Sequence, residues 1–315
     1  MIDPNSSEKI SRGNQVSKGQ KTHKSLEKIM AKWRHRDEGK KVVFVLSGGA
    51  NRGACQVGML RALYDFNVLP DLILGASVGA LNGVAFASNP TQEGINHLEE
   101  IWRDMKRETI LPPPRFGSTW RYAKKSPSVY QNGNLRQLIE ESISIKDLKD
   151  CTIPVEVVTT KICTGEIVRF SSGNAVDILL ASTALPGTYP SITIGDDELV
   201  DGGVSDDIPL LRAYELGATH VYILYCSSLN ERKRNHERPI EAILDSFTLA
   251  KKAKLRSDIS LISNKMEVTL IESPVAADTN WLDFSRSEAL ILDGYRSAFD
   301  AIQRKQLRQI TPTLR

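Results

Sequence analysis

Residues 42–66 read "VVFVLSGGANRGACQVGMLRALYDF". The five apolar residues 42–46 form a continuous run, which suits a buried parallel strand better than a half-exposed one. A glycine-rich turn follows, and then Val57, Leu60, Leu63 and Tyr64 recur at helical spacing. A second unit comes soon after. Residues 71–83, "DLILGASVGALNG", predict a strand over 71–74, a turn at Ser77 and a small-residue helix to about Ala87. Alternating strands and helices of this kind predict an α/β fold whose parallel sheet is covered on both faces.

Further along, residues 94–106 predict an amphipathic helix, and "LPPPRFGSTW" at 111–120 then breaks regular structure. An irregular excursion is expected over 110–134. Its proline run, Trp120, Tyr122 and Tyr130 suit a flap near Ser77, or else an ordinary packed loop. The helix "NLRQLIEES" follows at 134–142. Strands are expected at 154–160, 166–170, 198–200, 220–226 and 267–271, and helices at about 240–263 and 286–306. Neither a repeat nor a linker interrupts 42–306, so the folded body reads as one domain, 41–310, behind a tail of residues 1–40.

Charge separates tail from body. The chain of 315 residues has a net charge of +3, too small to argue for a nucleic-acid partner. Residues 1–41 alone hold 11 Lys and Arg against 5 Asp and Glu, so the basic surplus belongs to the tail. The first 20 residues are polar and read as disordered. Beyond them Leu26, Ile29, Met30 and Trp33 form one helical stripe, with Lys21, Lys24, Lys28 and Lys32 on other faces. That helix can dock on its own domain or lie on an anionic membrane surface. Cys55, Cys151, Cys163 and Cys226 show no CxxC pairing, and buried free thiols in a reducing compartment fit them best. No apolar run reaches the roughly 20 residues that span a bilayer, and no hydrophobic segment makes a secretory signal of the N-terminus. A cytoplasmic protein, peripheral to membranes, is expected.

Two turns carry the chemistry. Gly75-x-Ser77-x-Gly79 has the spacing of a nucleophile elbow, in which a strained strand-to-helix turn lifts a serine hydroxyl clear of the backbone. The plainer alternative is a βα turn whose serine caps a helix. The turn "SGGANRGA" at 47–54 lies between strand and helix, where backbone N–H groups can converge on an anion. It lacks the second glycine of G-x-G-x-x-G, since Ala50 stands there, and no Gly-Lys-Ser/Thr follows, so neither phosphate-loop motif matches. A carboxylate base could come from "DDELVDGGVSDDIPL", where Asp201 ends a short apolar strand and Gly202 and Gly203 leave space around it. Asp206 and Asp207 are rival carboxylates, and each of the three also fits a solvated turn. No His, Cys or carboxylate cluster has metal-ligand spacing, and no cofactor is expected.

Together "LSGGANRGACQVGMLRAL", "GASVGALNG", "ASTALPGTYP" and "LVDGGVSDDIP" resemble, in order and spacing, the patatin-like phospholipase family over roughly residues 41–300. The resemblance implies a three-layer α/β/α sandwich with a mostly parallel sheet. It also implies hydrolysis of phospholipid or other acyl-lipid esters by a Ser–Asp dyad without histidine. On that likeness Ser77 is the nucleophile and Asp201 the base. Gly48, Gly49 and Ala50 supply oxyanion N–H groups, with Arg52 in the same loop, and Gly53, Gly75, Gly79, Gly202 and Gly203 support the glycine turn, the elbow and the turn after Asp201. The chain departs from the family pattern at Ala50, usually glycine, and at Asp207, commonly asparagine. Alanine is strained there only if its φ is positive.

The histidines favour a dyad on separate grounds. A Ser-His-Asp hydrolase of the α/β type places its histidine after the acid, and only His220 and His236 follow Asp201. His220 leads into the apolar strand "HVYILYC", and His236 lies in the charged loop "NERKRNHERP". Four functions stay open at this point: a dyad lipid hydrolase, a Ser-His-Asp esterase on soluble esters, a thioesterase or transacylase, and a catalytically silent relative.

Overall fold

The computed structural model describes residues 39–111, 128–230, 239–281 and 283–310. The 21–36 helix, most of the 110–134 excursion and the loop carrying His236 lie outside the described residues. Lys41–Arg315 form one unit, apart from Met1–Lys40.

The two opening βα units form as their apolar runs require. β1 (Val42–Leu46) leads to α1 (Ala54–Asp65), and β2 (Leu72–Ala76) to α2 (Val78–Ser88). Helices α3 (Gln92–Asp104), α4 (Arg107–Ile110) and α5 (Gly133–Ser142) follow. Then come β3 (Val155–Lys161), β4 (Ile167–Phe170), α6 (Ala175–Thr183), β5 (Ile192–Ile194), β6 (Asp197–Asp201) and α7 (Leu210–Glu215). The chain closes with β7 (His220–Tyr225), α8 (Pro239–Ile262), β8 (Glu267–Glu272), α9 (Pro274–Asp278) and α10 (Ser287–Ile310). Strand boundaries expected from the sequence agree to within one or two residues. The helices α4, α6, α7 and α9 and the strand β5 are not legible in the sequence, being short and without a periodic stripe.

Strands are hydrogen-bonded in the order β5-β6-β3-β2-β1-β7-β8, with β4 also paired to β3. β1, β2, β3, β7 and β8 run parallel, while β4 and β6 are antiparallel to β3. Alternate residues divide the sheet into two buried faces. Val43, Val45, Leu72, Leu74, Val221 and Ile223 pack beneath Leu210 and Ala213 of α7 and Leu255 and Ile262 of α8. The opposite face carries Phe44 edge-on to Tyr222, and there Ile73 meets Gly83 of α2 while Lys305 of α10 lies over the Tyr222 ring. Helices on both faces of a mostly parallel sheet make this an α/β/α sandwich.

The register along β3 positions the chemistry. Val157 and Val158 pair with both β2 and β4, and Thr159 and Thr160 with both β4 and β6. A strand has only two edges, so β2 and β6 share one edge of β3 and meet there head-on. Ala76 lies opposite Val158 and Asp201 opposite Thr159. The residue after β2 and the last residue of β6 therefore come together at the carboxyl ends of the strands, where open α/β sheets gather reactive groups.

Candidate active site

Ser77 sits on that junction with φ 55° and ψ −131°, a conformation that non-glycine residues enter only under strain of about 1–3 kcal/mol. Strain of this kind holds the side chain out of the helix it precedes. Its N–H donates to Ser182 Oγ at 3.0 Å, and Ser182 Oγ donates to Val158 O at 2.7 Å. The elbow is tied to β3 through α6. Glycine is needed on both sides for close approach. A Cβ on Gly75 would lie 2.7 Å from Gly79 O, and one on Gly79 would strike the carbonyl of Leu46.

Ser77 Oγ donates to Asp201 Oδ2 at 2.6 Å. The other carboxylate oxygen accepts from Gly203 N–H at 2.7 Å. Asp201 is only 4% exposed, and burial pushes its carboxyl up to about 6. Lys251, the Ser77 hydroxyl and the Gly203 N–H pull against that rise, and Asp207 adds to it. An aspartate that stays ionised at neutral pH yet is a stronger base than usual suits proton abstraction. Gly202 has no room for a side chain, because a Cβ there would overlap Val158 O.

The 47–54 turn lies directly beside Ser77: a methyl group on Gly48 would come within 3.3 Å of Ser77 Cβ. The N–H groups of Gly48 and Gly49 meet no acceptor among the described residues. Ala50 has φ 52°, so the strained alternative raised by its sequence is the one realised. Arg52 Nε donates to Gly49 O at 3.2 Å and so braces its own loop. Gly53 packs on Val78. Under the loop runs a buried polar chain, from Trp102 Nε1–H to Asn82 Oδ1, from Asn82 Nδ2 to Gln56 Oε1, and from Gln56 Nε2 to Ser47 O and Leu224 O. Buried and saturated networks of this kind hold a backbone in one shape.

Residues 44–214 match the family model for patatin-like phospholipase. The chain belongs to that family. Lysophospholipase nte1 of Neurospora crassa is 23% identical over 300 residues, which are 87% of this chain and 19% of that protein. Patatin-like phospholipase domain-containing protein 7 of Rattus norvegicus is 28% identical over 61% of this chain and 14% of its own length. The chain thus spans less than a fifth of either relative. Among solved structures, VipD from Legionella pneumophila is similar over 84% of this chain and 67% of its own, at 14% identity and a TM-score of 0.48. Human GIVD cytosolic phospholipase A2 in complex with methyl gamma-linolenyl fluorophosphonate is similar over 90% and 61%, at 14% identity and a TM-score of 0.44.

In this patatin-like chain the rival groups are engaged by other partners. His220 opens β7 opposite Val42, at the amino-terminal edge of the sheet, and its Nε2 pairs with Glu267 at 2.7 Å. Asp206 is held by Arg169 at 3.1 Å and Lys254 at 3.2 Å. Asp207 turns toward Gly48 and pairs with Lys251 at 2.8 Å. Sequence reasoning assigned no role to Ser182, Gln56, Asn82 or Lys251. Ser182 lies within the "ASTALPGTYP" motif, but Lys251 reads in the sequence as one cation on a solvated helix. Cys55 and Cys226 are buried free thiols as expected, whereas Cys151 is half-buried and Cys163 exposed, and Cys226 N–H donates to Ser47 Oγ beneath the glycine turn. No cluster among the described residues could hold a metal ion. The two ends of the 110–134 excursion converge on one turn: Val129 N–H donates to Gly187 O, Tyr130 N–H to Thr188 O, and Tyr189 Oη to Ile110 O.

Proposed function

We propose that this chain is a lipid acyl hydrolase that cleaves carboxylic esters of phospholipids or lysophospholipids through a Ser77–Asp201 dyad. The single observation that carries this reading is the 2.6 Å hydrogen bond from the strained Ser77 to a buried, basic Asp201. Ser77 Oγ attacks the ester carbonyl while its proton passes to Asp201 Oδ2. The oxyanion takes backbone N–H groups from Gly48, Gly49 and Ala50, and the positive end of the adjoining helix favours it. Asp201 returns the proton to the leaving alkoxide, which departs as an alcohol and leaves an acyl-enzyme. Water then attacks that ester with Asp201 as base, releasing the fatty acid and restoring Ser77. A family whose relatives include lysophospholipases supports the lipid class of substrate. The hydrolase unit spans residues 41–310, and the basic surplus of residues 1–40 favours an anionic membrane on its cytoplasmic side. No helix among the described residues is long and apolar enough to cross a membrane.

A fluorophosphonate probe and a panel of phospholipids and lysophospholipids with product analysis test the reading. The full chain should be labelled and should release fatty acid, and Ser77→Ala should do neither. Labelling that survives Ser77→Ala would overturn it. A silent relative would leave the wild type unlabelled.

A further inference from the structure

Three charged groups meet over Gly203. A Cβ built there would lie 2.7 Å from Asp207 Oδ1, 3.0 Å from Asp201 Oδ1 and 3.0 Å from Lys251 Nζ. Asp207 also presses on the glycine turn, since a Cβ on Gly48 would come within 2.5 Å of the same Oδ1 and 3.3 Å of Ser77 Cβ. This carboxylate is 7% exposed and stands beside the place where negative charge develops in ester hydrolysis. Left alone it would oppose that charge, and the low local dielectric would strengthen the opposition. It is not left alone. Lys251 reaches in from α8 and donates to Oδ1 at 2.8 Å. Burial presses down on this ammonium, but Asp207 and Asp201 hold it above the ordinary lysine range.

We propose that Lys251 is a positioning residue of the hydrolysis: its ammonium neutralises Asp207 and fixes that carboxylate against the Gly48 turn, so that the oxyanion forms beside a neutral pair. The proposal rests on the Ser77–Asp201 reading. It makes Lys251 act through Asp207, without touching substrate. Asp201 is faced by Lys251 from α8, by Asp207 and the Gly203 N–H from its own loop, and by Ser77 from the elbow. Arg52 acts on Lys251 from the glycine turn, and Lys254, between Asp206 and Asp258, flanks the group.

The test is steady-state hydrolysis of a neutral short-chain p-nitrophenyl ester across pH 5–9, with folding of each variant checked by thermal unfolding. Lys251→Met should lower kcat at least about tenfold with little change in KM, because the oxyanion that an unneutralised Asp207 opposes exists only in the transition state. The acid limb of its profile should move to higher pH, since the base loses its cation while Asp207 remains. Adding Asp207→Asn to Lys251→Met should restore kcat to within about threefold of wild type, and Lys251→Arg should retain it. Asp207→Asn alone should move the acid limb to lower pH, which keeps the test decisive if Lys251→Met does not fold. An unchanged limb in that single variant, or a double variant as slow as Lys251→Met, would overturn the proposal. Ser77→Ala runs in the same assay. Should it retain turnover, the dyad reading falls and takes this inference with it; if it is inactive while Lys251→Met is normal, only the role of Lys251 falls.

Discussion

Ser77 and Asp201 are 124 residues apart, and they reach each other because the strands ahead of them run head-on along one edge of β3. Ser77 follows a strand parallel to β3, and Asp201 ends a strand antiparallel to it. The two carboxyl ends meet opposite Val158 and Thr159. No third group is needed to bridge them, because the strand junction itself sets the 2.6 Å contact.

Replacing Asp201 with Asn should keep the fold and lower turnover of a short-chain ester by about 10²–10⁴, the usual span for a lost general base. His220→Gln and His236→Ala, singly and together, should leave at least about a third of the activity, since neither supplies a general base. A histidine variant that fell as far as Asp201→Asn would replace the dyad with a triad.

The pH dependence of kcat/KM should show an acid limb near pH 6, the value to which burial pushes Asp201. Below it the base is protonated and cannot accept the Ser77 proton. Ester hydrolysis measured from pH 4.5 to 8 checks this, and a limb at or below about pH 4.5, near the ordinary carboxylate value, would contradict it.

The same group should weaken the fold. The folded carboxyl titrates near 6 and the unfolded one near 3.9, so the native state binds its proton more tightly. Stability conferred by that proton is present below about pH 4 and is lost as pH rises through about 6. Asparagine stays neutral throughout. At pH 8 Asp201→Asn should therefore exceed wild type in stability by about 1–3 kcal/mol, a gap that shrinks on going to pH 4.5. Urea unfolding at the two pH values would measure it, and a gap independent of pH would count against the assignment.

Ala50 occupies the left-handed region at φ 52°. Ala50→Gly relieves the Cβ clash at some cost in unfolded-state entropy, and should stabilise the protein by about 0.5–1 kcal/mol. Its hydrolytic rate should hold or rise. A loss of stability would mean that the turn gains from the stiffness of alanine.

Gly58 and Gly294 let α1 and α10 touch backbone to backbone: a Cβ on Gly58 would overlap Ile291 O, and one on Gly294 would overlap Cys55 O. Gly58→Ala should cost about 2–3 kcal/mol, as overpacking against backbone does. Gly133→Ala in α5 has nothing within 4 Å and should be neutral or stabilising by up to about 1 kcal/mol. Equal unfolding midpoints for the two variants would refute the packing argument.

Continuous apolar runs at 42–46 and 221–225 mark buried parallel strands, and Gly-x-Ser-x-Gly marks a strand-to-helix turn, but that spacing fits a strained elbow and a helix-capping serine alike until φ 55° at Ser77 decides it. These are local properties, since the apolar run and the glycine spacing each act within a few residues of chain. The sequence likewise marked Asp201, Asp206 and Asp207 as candidates, but it could not rank them without the family likeness. Tertiary structure separates them. β6 delivers Asp201 to Ser77, Arg169 and Lys254 hold Asp206 away, and Asp207 is turned inward onto Gly48. Gly58 reads in the sequence as a weak point in a helix, and only the approach of α10 makes it a requirement. Lys251 left no signal at all, because its role depends on a carboxylate 44 residues away. Local patterns fix the conformation of a segment, whereas the charge beside a buried group depends on which distant segments the sheet register brings to it.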